Sequence, residues 1–244
     1  MIRFLLVATF VILFLVLSIP LLFIDWIIGK FNIDLKNKSS LAIVNWAFRV
    51  CLFLAGTSVT VIGEENVPKD VPVLYIGNHR SYFDILITYI RVPRPTGYIA
   101  KKEMLRYPLL SNWMKNLHCL FLDRKDIKQG LKTILTAIEK VKSGISICIF
   151  PEGTRNRVND TFMEFHEGSF KIAEKTGCPI IPMSINNSAQ IFEDHIPKIK
   201  KAHVVLEYGK PIYPAELSKE ERKHLGVYTQ NIIKETYFKN KELV

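Results

Sequence analysis

The sequence predicts an α/β fold, a mostly parallel sheet flanked by helices and preceded by an N-terminal membrane helix pair. Two observations predict it. Short apolar segments bounded by turn residues alternate with helical patterns, which is typical of a parallel sheet covered on both faces. In addition, Phe4–Ile24 is an uncharged, strongly apolar segment long enough to cross a hydrocarbon core.

At 1.5 Å per residue, Phe4–Ile24 forms roughly 30 Å of helix. A cleaved signal peptide is disfavoured, because the segment exceeds the usual apolar region and no A-x-A-like site follows it. Leu41–Ala55 contains Asn45 and Arg49 and is too short to span easily, so it predicts a monotopic helix that packs beside the first segment or lies in the membrane interface. Pro20 leaves open whether the first segment spans the bilayer or dips in and returns.

These helices define residues 1–56 as a membrane-anchoring region and residues 57–244 as an α/β domain. More Lys and Arg residues follow the first apolar segment than precede it. The positive-inside rule therefore places residues 57–244 on the cytoplasmic face of the cell membrane. The four cysteines are widely separated, which argues against a zinc site or a disulfide scaffold and agrees with a reducing compartment.

The net charge of the chain indicates which classes of molecule it binds. Of 244 residues, 33 are Lys or Arg and 23 are Asp or Glu, so the formal net charge is +10. This charge favours an anionic membrane surface or phosphorylated substrates. Nucleic acid is disfavoured, because the basic residues are scattered and the aromatic residues lie in apolar segments.

The apolar segments after residue 57 predict the strands of the sheet: Val71–Gly77, Tyr98–Ala100, Cys119–Leu122, Ile145–Phe150, Ile180–Ile185 and Val204–Tyr208. The clearest helix covers Ile127–Val141, where apolar residues recur every three or four positions between Asp126 and Gly144. Ligands of such sheets bind beyond the carboxyl ends of the strands, so the residues after each strand are the candidates for chemistry.

His79 follows the first predicted strand, and Asp84 lies in the helix after it. An aspartate at this spacing can accept one imidazole N–H and leave the other nitrogen as a proton acceptor. No Ser or Cys lies in a nucleophile-elbow setting, so the histidine would activate a hydroxyl group of a substrate. From spacing alone, a helix-start cap with a surface ion pair is an equal alternative.

Two further turns carry arginine. Pro151-Glu152-Gly153-Thr154-Arg155 follows a buried strand, and a guanidinium there suits a phosphate group. Asp123 and Arg124 follow another predicted strand, and Lys101 follows a third. Taken separately, each of these is equally or better explained by a salt-bridged or solvated surface.

An apolar helical face precedes Arg124. Leu105, Leu109 and Trp113 are spaced to share this face, with basic residues on both sides. It predicts a membrane-facing surface or, equally, a stripe that faces the core.

Taken together, these blocks resemble the glycerolipid acyltransferase family. Asn78–Asp84 is similar to its His-x4-Asp block, Leu120–Arg124 to its second block, Phe150–Asn156 to its third, and Pro179–Pro182 to its fourth. The resemblance covers about residues 60–212 and implies the glycerol-3-phosphate acyltransferase-like fold. One departure is His118, where the second block often begins with Gly.

The resemblance implies a role for each matching residue. His79 would be the general base and Asp84 would orient it. Glu152, Gly153, Thr154 and Arg155 would bind the glycerol-phosphate head, Arg124 would be a second phosphate ligand, and Lys101 would stabilise the oxyanion. The implied reaction needs no cofactor and no metal.

The implied substrates are lysophosphatidic acid and an acyl thioester, either acyl-CoA or acyl-carrier protein, with membrane lipids around the enzyme and phosphatidic acid as product. Another lysophospholipid or a lyso-aminolipid would use the same His79 and Asp84. A lipid-binding protein with an idle site is the alternative from a different class.

Overall fold

The computed structural model describes all residues, Met1–Val244. Its centre is a seven-stranded sheet in the order β1-β7-β6-β2-β5-β3-β4, in which only β6 and β7 pair antiparallel. The strands are β1 Ser58–Ile62, β2 Leu74–Gly77, β3 Thr96–Lys101, β4 Leu120–Leu122, β5 Ser146–Ile149, β6 Ile180–Asn186 and β7 His203–Tyr208. The predicted parallel sheet is therefore confirmed, with one antiparallel pair.

Nine helices surround the sheet. Three precede it and six are inserted between or follow the strands. They are α1 Ile2–Leu17, α2 Ile19–Phe31, α3 Ile33–Ala55, α4 Phe83–Tyr89, α5 Pro108–Asn116, α6 Ile127–Lys142, α7 Lys171–Thr176, α8 Lys219–Lys223 and α9 Leu225–Lys239. As predicted, α6 begins after Asp126, whose side chain accepts a hydrogen bond from the Gln129 backbone N–H.

The two faces of the sheet carry separate hydrophobic cores. Successive side chains of a strand alternate in direction, so Tyr75 contributes to one core while Leu74 and Ile76 contribute to the other. The first core includes the N-terminal helices, α4 and α5, and the second includes α6, α7 and α9. This arrangement keeps the N-terminal helices on one side of the sheet and α6 on the other.

The N-terminal region contains three helices where the sequence predicts two. The first apolar segment is divided at Ser18 into α1 and α2, which are bent by 47°. Pro20 lies in the first turn of α2, where its missing N–H is tolerated but where a straight helix cannot continue through it. The second helix begins eight residues earlier than predicted, because the Asn32 side chain caps it by accepting from the Leu35 backbone N–H at 2.9 Å.

By length and composition, α3 is the one helix apolar enough to cross a membrane by itself, and the bent pair of α1 and α2 makes a second if it is taken as a single span. Many large apolar side chains of these helices face outward. They include Leu13, Leu17, Phe23, Trp26, Phe31 and Phe53, all at least half exposed. A water-soluble surface rarely carries so large an apolar patch, which favours contact with lipid.

Trp113 belongs to the core. Its side chain is 2% exposed, its ring stacks on Phe14 of α1 at 5.9 Å between centroids, and its indole N–H donates to the Ser18 hydroxyl at 2.9 Å. The interpretation of Trp113 as part of a membrane-facing surface is therefore wrong, and the core-facing alternative holds for this residue. The contact instead fastens α5 to the bend of the N-terminal helices.

His118 forms a second link between the N-terminal helices and the sheet. Its φ is 60°, a left-handed conformation that favours glycine, which accounts for the Gly often found at this point of the second block. Here the imidazole Nε2 bonds the Asn37 side chain of α3 at 2.9 Å, and the Lys140 ammonium lies 3.4 Å from Nδ1. Burial, followed by the nearby Lys140 and Lys36 charges, lowers the pKa of His118 from its usual 6.5 to about 4.

Acid should therefore destabilise the protein through His118. As the pH falls from about 6.5 toward 4, the unfolded chain binds a proton that the folded chain does not, so the free energy of unfolding decreases. We expect the melting temperature of His118→Gly to fall less than that of the native protein between pH 7 and pH 4.5. Exposed His224 supplies the control, since His224→Ala should follow the native curve. Parallel curves for His118→Gly and native protein would contradict the expectation.

Candidate active site

The turn after β2 is built on the side chain of Asn78. Its amide donates to the carbonyl oxygen of Ile185 at 2.9 Å, and its carbonyl oxygen accepts from the Ile185 backbone N–H at 2.9 Å. This pair of hydrogen bonds joins the carboxyl end of β2 to its neighbour β6. The next residue, His79, is thereby held at the edge of the sheet where ligands of parallel sheets bind.

Asp84 organises the same turn from the first turn of α4. Its Oδ2 atom lies 2.8 Å from His79 Nδ1 and accepts the backbone N–H groups of Arg80 at 2.7 Å and Ser81 at 2.8 Å. The residue is fully buried, whereas the His79 side chain is 16% exposed. Because the carboxylate accepts the proton on Nδ1, Nε2 of the neutral ring is left to accept a proton.

The turn after β5 encloses His79 from the other side. The Phe150 ring stacks on the imidazole with 4.4 Å between centroids and 16° between planes. Glu152 accepts the His79 backbone N–H at 2.9 Å and the Met163 backbone N–H at 3.1 Å, and the Asn156 backbone N–H donates to the His79 carbonyl at 2.8 Å. Both the orientation of the ring and the path of its backbone are therefore fixed.

Glu152 is 3% exposed, and burial raises the pKa of its carboxyl group while the two backbone N–H donors lower it. Each of its oxygens accepts one of these donors, so the structure gives it a part in holding the two turns together. Gly153 has φ of +71°, and a Cβ there would lie 3.3 Å from the His166 ring. The turn thus requires glycine at this position. Thr154 is half-buried and its hydroxyl makes no hydrogen bond within the protein.

Arg155 is held by two groups on the His79 side of the site. Its Nη1 donates to Glu193 Oε1 at 2.8 Å, and its guanidinium carbon lies 3.6 Å from the centroid of the Tyr82 ring. Glu193 also accepts the Ser81 hydroxyl at 2.6 Å and the Tyr82 backbone N–H at 2.8 Å. Only one of the arginine nitrogens is engaged, which leaves the others to bind an anion.

Glu193 is the residue that sequence reasoning missed. It lies in a 3-10 turn seven residues beyond the end of β6, outside the residues that directly follow a strand. The signal was an acidic pair, Glu193-Asp194, in a loop whose strand ends at the same sheet edge as His79.

Arg124 lies next to Gly153, with its Nε 3.9 Å from the Cβ position there. Both residues line a cavity of about 400 Å³ whose surface is mainly apolar. Its lining includes Ile99, Leu122, Ile134, Ile149 and Phe150. Because Phe150 also stacks on His79, the cavity adjoins the imidazole.

Lys101 is the predicted residue that the structure does not join to the others. It ends β3 opposite Leu122 of β4, its side chain is exposed, and it makes no hydrogen bond or ion pair. The neighbouring Lys102 pairs with Asp123. The remaining predicted residues cluster at the carboxyl ends of β2, β4 and β5, which is the arrangement that the three motifs predict.

A protein family model described as Acyltransferase matches residues 58–186, which include His79, Asp84, Arg124 and the turn at Arg155. The chain belongs to the acyltransferase family. The matched segment ends before Glu193, so the anchor of Arg155 lies outside it.

The relatives to which this acyltransferase is similar carry the same or nearly the same enzyme name. A 1-acyl-sn-glycerol-3-phosphate acyltransferase from Borreliella burgdorferi is 32% identical over 198 residues, covering 81% of this chain and 79% of the relative. One from Helicobacter pylori is 33% identical over 176 residues, covering 70% and 73%. The crystal structure of the 1-acyl-sn-glycerophosphate acyltransferase from Thermotoga maritima superposes with a TM-score of 0.80 at 25% identity, covering 97% of this chain and 94% of that one.

Proposed function

We propose that this acyltransferase moves an acyl group from a thioester to the sn-2 hydroxyl of 1-acyl-glycerol-3-phosphate, giving phosphatidic acid. The observation that carries the proposal is the hydrogen-bonded pair of His79 Nδ1 and Asp84 Oδ2, 2.8 Å apart. The other ring nitrogen, Nε2, bonds no protein group, and Arg155 lies at the same edge of the sheet. The names of the Borreliella burgdorferi and Helicobacter pylori relatives support this choice of acceptor.

His79 acts as the general base. Nε2 removes the proton of the acceptor hydroxyl as its oxygen attacks the thioester carbonyl carbon, and Asp84 stabilises the imidazolium that forms. The tetrahedral intermediate collapses by breaking the carbon–sulfur bond, and the imidazolium returns the proton to the departing thiolate. The acyl group passes directly between the substrates, so no residue carries it covalently. Resemblance to the family assigns oxyanion stabilisation to Lys101, whose exposed side chain makes no hydrogen bond or ion pair within the protein.

The acceptor's phosphate binds Arg155. Glu193 and Tyr82 hold the guanidinium, so its remaining N–H groups are presented in one orientation and lose little freedom on binding. Gly153 and Thr154 line the approach to the head, and Arg124 supplies a second charge across the cavity mouth. The apolar cavity accommodates an acyl chain, because its volume and lining fit the usual range for apolar ligands.

The enzyme works at a membrane. Residues 1–56 anchor it through the outward apolar side chains of α1–α3, and residues 57–244 form the acyltransferase domain at the cytoplasmic face of the cell membrane. This placement brings the acceptor, itself a membrane lipid, to the carboxyl edge of the sheet without leaving the bilayer surface.

The decisive test is acyl transfer by purified, detergent-solubilised protein with mass spectrometry of the lipid products. Lysophosphatidic acid and a panel of other lysolipids are each offered with acyl-CoA and with acyl-carrier protein. Phosphatidic acid from the native protein is the expected product. Product only from another lysophospholipid or a lyso-aminolipid would keep the chemistry and change the acceptor. Absence of product with every pair, from folded protein in lipid, would favour the lipid-binding alternative.

Arg155 gives a second test, directed at the acceptor head. We expect Arg155→Gln to raise the KM for lysophosphatidic acid by roughly 10- to 100-fold, because a hydrogen bond to a charged group contributes about 1.5–3 kcal/mol. The kcat should change much less, since His79 and Asp84 are untouched. Steady-state kinetics at varied acceptor concentration measure both constants.

Arg157 is the matched control, because it lies in the same turn, is exposed and makes no hydrogen bond or ion pair. Arg157→Gln should leave the acceptor KM within about twofold, as expected for an exposed unpaired charge. Equal effects of the two substitutions would show that Arg155 contributes only to the general positive charge of the surface.

A further inference from the structure

The outward side of α6 carries large apolar side chains that no other part of the chain covers. Ile127, Leu131 and Leu135 are 88%, 60% and 53% exposed. They are four residues apart and so form one stripe along the helix. The opposite side of α6 packs on the sheet through Thr133 and Ala137, both buried. A continuous apolar stripe on a solvent-facing helix marks an interaction surface.

Unpaired positive charge borders this stripe. Lys125, Lys128 and Lys132 are exposed, and none of them lies in a salt bridge. Of the nearby carboxylates, Asp123 pairs with Lys102, Glu139 pairs with Lys142, and Asp126 caps α6 by accepting the Gln129 backbone N–H. The three lysines outnumber the one exposed carboxylate within residues 125–132, Asp126, so the local charge stays positive. We call the six residues of the stripe and its border the α6 surface: Lys125, Ile127, Lys128, Leu131, Lys132 and Leu135. Its charge suits an acidic partner.

The α6 surface is also continuous with the cavity beside His79. Ile127 lines the cavity mouth, and Gly130 and Ile134 of the same helix form part of its wall. A partner seated on α6 would therefore lie next to the entrance. Because α6 packs in the core on the face of the sheet opposite to the N-terminal helices, this partner approaches from water rather than from the bilayer that α1–α3 contact.

We propose that the α6 surface docks an acidic acyl-carrier protein, which delivers its acyl chain to the adjoining cavity. The proposal rests on the proposed function, and it assigns the donor. Acyl-CoA and acyl-carrier protein present the same thioester, and only the carrier protein has a folded surface to cover an apolar stripe. An apolar centre with a charged rim is the usual composition of a protein–protein interface.

The test compares the two donors on the same variants. Leu131→Ser with Leu135→Ser removes two side chains of the stripe that do not line the cavity, without changing charge. Lys128→Glu with Lys132→Glu reverses the charge of two of the three lysines at the border of the stripe. Val227→Ser is the apolar control and Lys219→Glu with Lys223→Glu the charge control, all exposed on α8 and α9. The readouts are the KM for palmitoyl-carrier protein and for palmitoyl-CoA, and carrier-protein binding by fluorescence anisotropy.

We expect both α6 variants to weaken carrier-protein binding and raise its KM about tenfold, the order for losing rim charges and apolar contacts at an interface. The serine variant should keep the KM for palmitoyl-CoA within about twofold, and the controls should match the native protein. Native binding should also weaken with added salt.

Three results would overturn the proposal. The first is unchanged carrier-protein binding in both variants, and the second is no binding to the native protein. The third is an equal loss with both donors together with reduced association with anionic vesicles, which would make the α6 surface a membrane contact. Turnover of palmitoyl-CoA by the native protein reports separately on the proposed function, and the anisotropy measurement does not depend on turnover.

Discussion

Replacement of His79 by alanine should lower kcat by about 10²–10⁴-fold, the usual contribution of a general base. No other group in the structure is placed to take its part, because Glu152 is occupied by two backbone N–H donors and Asp84 is fully buried behind the ring. The expected measurement is phosphatidic acid formation at saturating acceptor and donor, where kcat is isolated from binding.

The variant should remain folded. The backbone bonds of His79 to Glu152 and Asn156 do not involve the imidazole, so the path of the turn is kept. Circular dichroism and a melting curve check this. The exposed His224 again serves as the control, and His224→Ala should retain native activity. If folded His79→Ala kept a third or more of the native kcat, His79 would not be the base.

Much of this site follows from the sequence because it depends on neighbouring parallel strands. β2 and β5 are adjacent, so residues placed after each strand meet at one edge, and the His79 turn contacts the Glu152 turn directly. Glu193 does not follow from the same reasoning. Its position depends on the path of the loop after β6, and that path is set by tertiary contacts with Ser81 and Tyr82 that no local pattern encodes.

The fold also has parts that the sequence predicts and parts that depend on tertiary contacts. The strands in the centre of the sheet are buried on both faces and are continuous apolar segments, which makes them visible in the sequence. β1 is an edge strand, Ser58–Ile62, with no fully buried residue, and it pairs with β7 from the far end of the chain. The bend at Ser18 has a local cause in Pro20, and the Ser18 hydroxyl adds a tertiary contact by accepting the Trp113 indole N–H of α5.

Replacement of Asp84 by asparagine should separate the charge of this residue from its shape. An amide oxygen in place of Oδ2 can still accept the backbone N–H groups of Arg80 and Ser81, so the turn is retained. The amide nitrogen then replaces Oδ1, which is buried and has no hydrogen-bond partner. That unpaired donor costs about 1–3 kcal/mol of stability, a fall of a few degrees in melting temperature.

The loss of activity should be much larger than this loss of stability. Without the carboxylate, the imidazolium formed in the transition state is no longer stabilised by an opposite charge 2.8 Å away, and we expect kcat to fall by roughly 10²–10⁴-fold. The measurement is kcat at a temperature well below the melting point of the variant. A fall in kcat no greater than the fraction unfolded would assign Asp84 a structural part only.

The double variant decides whether Asp84 acts through His79. If the carboxylate serves only to orient and charge-stabilise the ring, its removal has no further effect once the ring is absent. The kcat of the combined His79→Ala and Asp84→Asn protein should then equal that of His79→Ala within about threefold, because residues that act as a unit are not additive. Multiplicative losses would mean that Asp84 stabilises the transition state by a second route. The geometry argues against that route, since Asp84 is fully buried and its Oδ2 atom bonds only the ring and the turn that carries it.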